Sequence, residues 1–363
     1  MPIFNRGDLR RGSKTPRYTT GAIRYPERSA YNLFDPDLST AVLDRSGIES
    51  ISTFGSLSGT NKWGGGALAP NGFIYCVPRE STAVLKIDPN TDTATTFGSL
   101  GTGDKWAGCV LAPNGYIYGT PWNATTILKI DPRTDTVSTF GSLAGSSKWS
   151  ACVLTPGGII YGIPFSANTI LRVDTNTDTV TTFGTLSGQW VGGALAPNGY
   201  IYGMPFGSTA ILKIDPSTDT TSTFGTVTIS NYQTCHVAPN GNIYAIPWNA
   251  TSVLKINTST DTTSIFGSLV AGNAKWFGSA LHPNGCIYAV PFDATTILRI
   301  NTFDDTVDTF GSISGTTKYM NITLAPNGAL YGTPLNATTI LKMSVSNITR
   351  IDQKLLSAYH NKF

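Results

Sequence analysis

The chain has 363 residues, of which 13% are charged, and its formal net charge is +3. A net charge this small does not favour nucleic acid as a partner, and the absence of any run of about 18 apolar residues excludes a helical membrane span. The abundance of Gly (38 residues), Ser, Thr and Asn is typical of a turn-rich all-β protein.

The first segment, residues 1–45, is a polar and basic arm without the apolar core of a signal peptide. Its first 30 residues hold seven basic side chains against Asp8 and Glu27: Arg6, Arg10, Arg11, Lys14, Arg17, Arg24 and Arg28. Because a segment of this composition has little apolar surface to bury within itself, we expect the arm to dock onto another surface. That surface belongs either to the rest of the chain or to a neighbouring protein subunit.

After the arm, one sequence unit occurs seven times. Each copy contains a Thr-Phe-Gly motif or its equivalent, with the aromatic residue at Phe54, Phe97, Phe140, Phe183, Phe224, Phe266 and Phe310. Each copy also contains a Pro-Asn-Gly turn (Pro-Gly-Gly once), with the proline at Pro70, Pro113, Pro156, Pro197, Pro239, Pro283 and Pro326. A period near 43 residues with four short β-patterns per copy is typical of a propeller blade. The sequence therefore predicts an all-β, seven-bladed β-propeller with four-stranded blades over residues 46–350, followed by a tail at 351–363.

Residues 105–141 show the order of elements expected within one blade. The first strand, 106–111, is rich in small residues, which suits the position nearest the axis, where the blades crowd together. A Pro-Asn-Gly hairpin turn leads into a second strand at 116–119 and then a third at 126–130. A turn of short Asp and Thr side chains precedes a β-branched outer strand at 137–140.

The repeat is circularly permuted relative to the blade. The chain enters with an outer strand at 48–54, and it ends with inner strands at 319–324, 329–331 and 339–343. We expect the N-terminal strand to join these three and close the ring, which removes the liability of open sheet edges. In the alternative, residues 347–351 supply the outer strand and the N-terminal strand adds outside it.

An aromatic residue opens each first strand, and a Lys precedes most of these aromatics. The ring aromatics are Trp63, Trp106, Trp149, Trp190, Tyr232, Trp276 and Tyr319, and the lysines are Lys62, Lys105, Lys148, Lys275 and Lys318. Strand direction places them on one rim, beside the loops that carry Arg79, Trp122, Phe165, Phe206, Trp248, Phe292 and Leu335. One interpretation is a binding surface for a glycan or an anionic partner. The other is that the aromatics pack between blades while the lysines reach out to water.

The copies differ most from one another in two places. Residues 225–237 replace the usual loop with Thr-Val-Thr-Ile-Ser-Asn-Tyr, which makes this segment a candidate contact loop. Residues 319–323 carry Met320, Asn321 and Ile322 where other blades have small residues, a difference that the closing blade by itself would explain.

Two rows of aspartates are predicted on the opposite face. One row holds Asp88, Asp131, Asp174 and Asp215, and the other holds Asp92, Asp135, Asp178, Asp219, Asp261 and Asp305. A calcium site needs several oxygens converging on one point, so single aspartates that cap turns are the better explanation. We predict no metal and no cofactor.

The cysteines and histidines are interpreted as structural. Cys109, Cys152 and Cys235 occupy nearly the same slot in three blades, so the five cysteines, with Cys76 and Cys286, are expected to be small buried fillers rather than disulfide partners. His236 and His282 lie near the first strands of neighbouring blades but at different depths, which does not favour a catalytic pair.

The repeated motif resembles tandem propeller repeats of large DNA viruses, bacteriophages and some microbes. It reads Leu-Ala-Pro-Asn-Gly-x-Ile-Tyr-Gly-x-Pro, followed by Ile-Leu-Lys-Ile-Asp-Pro-x-Thr-Asp-Thr and Thr-Phe-Gly. The resemblance covers about residues 46–350 and implies a propeller that serves in a virion. The Ile-Leu-Lys-Ile-Asp-Pro strand and turn are also distantly similar to seven-bladed propellers of the virginiamycin B lyase type. The His and Glu catalytic set of that family has no match here, because Glu is nearly absent from the blades, and its activity is not carried over.

Three functional hypotheses remain open at this stage. The first is a non-catalytic structural or interaction protein, a capsid- or tail-associated virion component that docks on other subunits through its arm. The second is a lectin-like propeller that binds a glycan through the aromatic rim, and the third is a propeller lyase or hydrolase. The first hypothesis is favoured. It predicts that the protein is located in the virion, and the alternative location is the cytoplasm.

Overall fold

The structure, a computed structural model, describes residues 49–227 and 231–345. Within these residues the fold is all-β, with 28 strands in seven four-stranded antiparallel sheets. The predicted seven-bladed β-propeller is thereby confirmed. No helix in the described residues is long and apolar enough to cross a membrane. The predicted arm (1–45) and tail (351–363) lie outside the described residues.

Blades 1 to 3 follow one another in the chain, and each is numbered from its innermost strand outward. Blade 1 is β2 (Trp63–Leu68), β3 (Ile74–Pro78), β4 (Val84–Asp88) and β5 (Thr93–Phe97). Blade 2 is β6 (Trp106–Leu111), β7 (Ile117–Pro121), β8 (Ile127–Asp131) and β9 (Thr136–Phe140). Blade 3 is β10 (Trp149–Leu154), β11 (Ile159–Pro164), β12 (Ile170–Asp174) and β13 (Thr179–Phe183).

Blades 4 to 6 repeat the same order, and blade 7 is discontinuous in sequence. Blade 4 is β14 (Trp190–Leu195), β15 (Ile201–Pro205), β16 (Ile211–Asp215) and β17 (Thr220–Phe224). Blade 5 is β18 (Tyr232–Val237), β19 (Ile243–Pro247), β20 (Val253–Asn257) and β21 (Thr262–Phe266). Blade 6 is β22 (Trp276–Leu281), β23 (Cys286–Pro291), β24 (Ile297–Asn301) and β25 (Thr306–Phe310). Blade 7 is β26 (Tyr319–Leu324), β27 (Leu330–Pro334), β28 (Ile340–Val345) and, outermost, β1 (Glu49–Phe54).

The innermost strands are rich in small residues because neighbouring blades touch there through their backbones. A Cβ atom added to Gly64 would lie 2.3 Å from the carbonyl oxygen of Ala107 in the next blade. A Cβ on Gly278 would lie 2.3 Å from the Cα of Asn321. No side chain fits at these distances, so the crowding expected at the axis explains the composition.

The hydrophobic core lies between blades. One cluster joins Tyr161 and Ile170 of blade 3 to Trp190 and Leu212 of blade 4, and the same arrangement recurs around the ring. Each blade therefore buries its apolar faces against its two neighbours, and no blade has a core of its own.

The ring closes through the N-terminal strand, as predicted. β1 pairs antiparallel with β28 in a register that runs from Glu49 opposite Val345 to Phe54 opposite Ile340. The ring of Phe54 meets Tyr331 edge to face at 6.0 Å, as the equivalent Phe does in other blades. The alternative, in which residues 347–351 lie between these two strands, is wrong because β1 pairs with β28 directly.

Candidate binding rim, lower-face contacts and axial channel

The seven ring aromatics are buried at the upper face, which is the face where the innermost strands begin. Their exposed fractions lie between 0 and 3%. Each indole donates to a backbone carbonyl of its own blade, as Trp63 Nε1 does to Ala83 at 2.9 Å. A ligand cannot reach the faces of these rings in this structure. The ring aromatics lie where the interpretation that they pack between blades places them.

The five lysines beside them do not reach water, contrary to both sequence interpretations. Their exposed fractions lie between 3 and 7%, and each ammonium group donates to at least one backbone carbonyl, that of a glycine in the loop that leads into its blade. Lys62 Nζ lies 2.8 to 3.0 Å from the carbonyl oxygens of Gly59, Leu335 and Ala337. Burial lowers the pKa of all five amines. These lysines therefore hold the loops between blades rather than forming an accessible positive surface.

The half-buried aromatics of the upper face lie on the loops that follow the second strands. Trp122 and Phe165 have ring centroids 5.0 Å apart, and Phe206 continues this arc at 5.5 Å from Phe165. A second group brings Trp248 to 4.8 Å from Phe292. We call these five residues the loop aromatics, and they are the part of the predicted rim that solvent reaches.

The two non-aromatic loop positions behave differently. Leu335 is buried, with 2% exposed. Arg79 forms an ion pair with Asp104 at 2.5 Å, and its guanidinium lies 5.8 Å from the centroid of Trp122. The positive charge of Arg79 is therefore already balanced at the edge of the loop aromatics.

The first row of aspartates caps turns at the lower face, as predicted. Asp88 Oδ1 accepts from the backbone N–H of Asn90 at 2.9 Å, and the other three make the same contact two residues on. Within the described residues no three His, Cys, Asp or Glu side chains converge to hold a metal ion.

The second row of aspartates does more than cap turns, and the sequence prediction for it is corrected. Each Asp has a left-handed backbone (φ 53 to 56°) and accepts a hydrogen bond of 2.6 to 2.9 Å from a buried Tyr of the preceding blade. The pairs are Tyr331 with Asp92, Tyr75 with Asp135, Tyr118 with Asp178, Tyr161 with Asp219, Tyr202 with Asp261 and Tyr244 with Asp305. A Lys or Arg from the same blade as the Tyr pairs with the second carboxylate oxygen. We call this Tyr–Asp–Lys group the blade clasp.

The seventh clasp uses a different acid. Glu49, the first residue of β1, accepts from Tyr288 at 3.0 Å and pairs with Arg299 at 2.5 Å. Glu49 precedes Phe54 by five residues, the same spacing that separates Asp92 from Phe97. The residue that closes the ring therefore reproduces the contact that joins the other blades.

An axial channel of about 410 Å³ runs between the innermost strands. The sides that face it are mostly Gly, Ala, Val, Leu and Cys, but blades 5 to 7 contribute Thr234, His236, Ser279, Asn321 and Thr323. Sequence reasoning did not find this group, because its five members come from three repeats and are spread over three different positions of the first strand. The feature that pointed toward it was the departure of 225–237 and 319–323 from the repeat.

The histidines do not form a pair. His236 lines the channel, with its Nε2 2.7 Å from the carbonyl oxygen of Ser279. His282 is buried at the lower face, with its Nε2 3.3 Å from the carbonyl oxygen of Gly328. Burial lowers the pKa of His236, so its ring is neutral near pH 7.

The cysteines only partly match the prediction of buried fillers. Cys76, Cys235 and Cys286 are buried, whereas Cys109 and Cys152 are half-buried. Cys109, Cys152 and Cys235 line the channel. Burial raises the pKa of Cys76 to about 12 and that of Cys152 to about 11. Their thiols stay protonated at neutral pH and are weak nucleophiles.

Comparisons with known proteins support the fold and leave the activity open. No curated protein matches the sequence. A streptogramin B lyase structure aligns with a TM-score of 0.70 at 15% identity, over 82% of this chain and 98% of that one. Virginiamycin B lyase from Staphylococcus aureus aligns with 0.71 at 14% identity, over 82% and 99%. Kuenenia stuttgartiensis hydrazine synthase aligns with 0.62 at 12% identity, over 81% and 98%.

At these identities the alignments show a shared fold and nothing more. Residues 193–358 match a family described as a repeat of unknown function, DUF6923. The chain is therefore a seven-bladed β-propeller, and residues 193–358 of it are similar to the DUF6923 repeat.

Proposed function

We propose that this protein is a non-catalytic interaction component of a larger assembly, docked on other protein subunits through its basic arm, residues 1–45. The observation that carries the proposal is how the repeated polar side chains are used. The clasp residues and the upper-face lysines all bind within the ring. This use suits a rigid disk that carries its partner contacts elsewhere.

The arm is the segment whose composition suits such contacts. Its Arg and Lys residues attract an acidic protein surface, and Arg binds carboxylates in a bidentate geometry. The resemblance to viral and phage repeats supports a virion as the assembly. The arm lies outside the described residues, so this part of the proposal rests on its sequence.

A transfer experiment tests the docking role. Residues 1–45 are fused to an unrelated fluorescent protein, and particles isolated from cells that make the native assembly are assayed for fluorescence. We expect the fusion to co-purify with the particles. A matched fusion in which the seven basic residues of the first 30 positions are changed to Gln should stay in the supernatant. Equal recovery of both fusions, or of neither, would refute docking through the arm.

The loop aromatics favour a second candidate, a lectin-like surface. Trp122, Phe165 and Phe206 form a half-exposed aromatic arc on the upper face, and aromatic faces provide large apolar areas for stacking. A glycan array probed with the wild type, with Trp122→Ala and with Trp248→Ala tests it. Ile265→Ala, an exposed change on the outer strand of blade 5, is the control. Hits that neither Trp substitution weakens would exclude the loop aromatics as the site.

A further inference from the structure

The axial channel has two chemically different sides. Blades 1 to 4 present Gly, Ala, Val, Leu and Cys together with one hydroxyl, that of Ser150, which lies 3.4 Å from the carbonyl oxygen of Trp190. Blades 5 to 7 present five polar side chains, those of Thr234, His236, Ser279, Asn321 and Thr323. At the position of His236 three other blades carry Ala67, Ala194 and Ala280. The side chains on one side of the axial channel therefore depart from the repeat pattern of the other blades.

Most donors on the polar side are already used; the second N–H of Asn321 Nδ2 is the exception. Thr234 Oγ1 donates to the carbonyl oxygen of Phe277 at 2.9 Å, so the 2.7 Å contact between Thr234 and Ser279 must use the proton of Ser279. Asn321 Nδ2 and Thr323 Oγ1 both donate to the carbonyl oxygen of Gly66, at 3.3 and 3.1 Å.

Acceptors remain on the same side of the channel. The contact of His236 Nε2 is a carbonyl oxygen, which only accepts, so Nε2 carries the ring proton and Nδ1 has a lone pair. Ser279 Oγ and Asn321 Oδ1 have further acceptor capacity. The free acceptors outnumber the one free donor, the second N–H of Asn321, so this side favours a ligand that supplies hydrogen-bond donors.

The channel also restricts the charge and size of a ligand. None of the described residues that line it is Asp, Glu, Lys or Arg, and burial of a charge without a partner is costly. Its volume of about 410 Å³ lies in the range of small-molecule pockets, about 300–1,000 Å³. Phe277 supplies an aromatic side chain to the lining and stacks on Phe292, with ring centroids 5.7 Å apart.

We propose that the axial channel binds a small neutral polyhydroxylated molecule, of the size of a monosaccharide, whose hydroxyl groups donate to His236 Nδ1, Ser279 Oγ and Asn321 Oδ1. The apolar face of such a ring packs against the small residues of blades 1 to 4. This site is distinct from the loop aromatics and does not depend on docking through the arm.

Ligand-observed NMR on the full chain tests the proposal. The probes are methyl glucoside, methyl galactoside, methyl mannoside and myo-inositol, each at about 10 mM, which detects a millimolar site, with tetramethylammonium as a cationic comparison. We expect at least one neutral probe to bind. His236→Ala, which installs the residue of three other blades, should weaken that binding about tenfold, the effect of one hydrogen bond.

A matched control and a second variant keep the test decisive. His282→Ala removes the other blade histidine, at a position where five blades carry Ala, and should leave binding unchanged. Ser279→Cys places in blade 6 the residue found at Cys109, Cys152 and Cys235 and should weaken binding even where His236→Ala fails to fold. The proposal is overturned if no neutral probe binds the wild type, if the cation binds in their place, or if binding responds to Trp122→Ala and not to the channel variants.

Discussion

Deletion of the closing strand should destabilise the ring far more than deletion of most of the arm. Removing residues 46–56 takes away β1, while removing residues 1–40 leaves all described strands in place. The deletion of β1 removes three contacts: the Glu49 clasp, the packing of Ile51 in the cluster between blades 6 and 7, and the Phe54–Tyr331 ring contact. Ile51 fits so closely that a Cβ on Gly311 would lie 2.2 Å from its Cδ1.

The magnitude follows from these contacts. A hydrogen bond to a charged group is worth about 2 kcal/mol, and the partial burial of Ile51 and Phe54 adds about 1–2 kcal/mol each. The loss is therefore about 5 kcal/mol, before the exposed edge of β28 is counted. For a domain of this size that corresponds to a fall in Tm of about 10 °C.

Differential scanning calorimetry of the two deletions and the full chain measures the difference. We expect the Tm of the 1–40 deletion to stay close to that of the full chain. Equal losses of Tm for the two deletions would mean that the ring does not depend on β1 for closure, and the reasoning would fail.

Three further predictions concern the clasps and the buried amines. Glu49→Gln and Asp135→Asn each keep an acceptor for the Tyr and remove a charge, so each should lower the free energy of unfolding by about 1–2 kcal/mol in urea titrations; no loss in either variant would mean that the clasps contribute nothing. Burial raises the pKa of the seven clasp tyrosines, so the neutral phenols stabilise the fold below about pH 10, the ordinary Tyr value, and this stability is lost as the pH rises further. The five upper-face lysines, whose pKa is lowered, oppose this loss of stability only up to about pH 10.5, the ordinary Lys value. The Tm should therefore fall above that pH as the phenolate absorbance rises. A Tm that stays constant there would refute the conclusion that the neutral clasp tyrosines stabilise the fold. Lys148→Met leaves the carbonyl oxygens of Ala124 and Gly145 without their donor and should cost about 1–3 kcal/mol, whereas Lys148→Gln, which mimics Gln189 of blade 4, should cost less in the same titration.

The sequence was sufficient for the fold because each blade position is sampled seven times. A small residue after Trp63 and its equivalents, a Pro-Asn-Gly turn and a β-branched outer strand are local patterns that indicate one architecture. The ring closure was also predictable, because one outer strand was spare at the start of the chain and one was missing at its end. The β1 strand covers Glu49–Phe54, and the predicted first residue, Ile48, lies outside the described residues.

The contacts of the polar side chains were harder to predict because they join residues far apart in sequence. Asp92 forms its clasp with Tyr331, 239 residues away, and no local pattern distinguishes that role from turn capping. Lys62 was interpreted as a surface charge since buried lysines without an acidic partner are rare. Its amine is instead surrounded by loop carbonyls from another blade, which only the closed ring brings together.

The same repetition that makes the fold easy to predict hides the function. A side chain that recurs in every blade must satisfy the same neighbours seven times, so the ring aromatics and the clasp residues are explained by packing. A site for one ligand needs side chains that occur once, and these look like irregularities in the alignment of the repeats. His236 lies within such a segment and Asn321 within another, 85 positions along the chain, yet both line one channel. The departures from the repeat, placed in three dimensions, are therefore the part of this propeller where binding specificity should be sought.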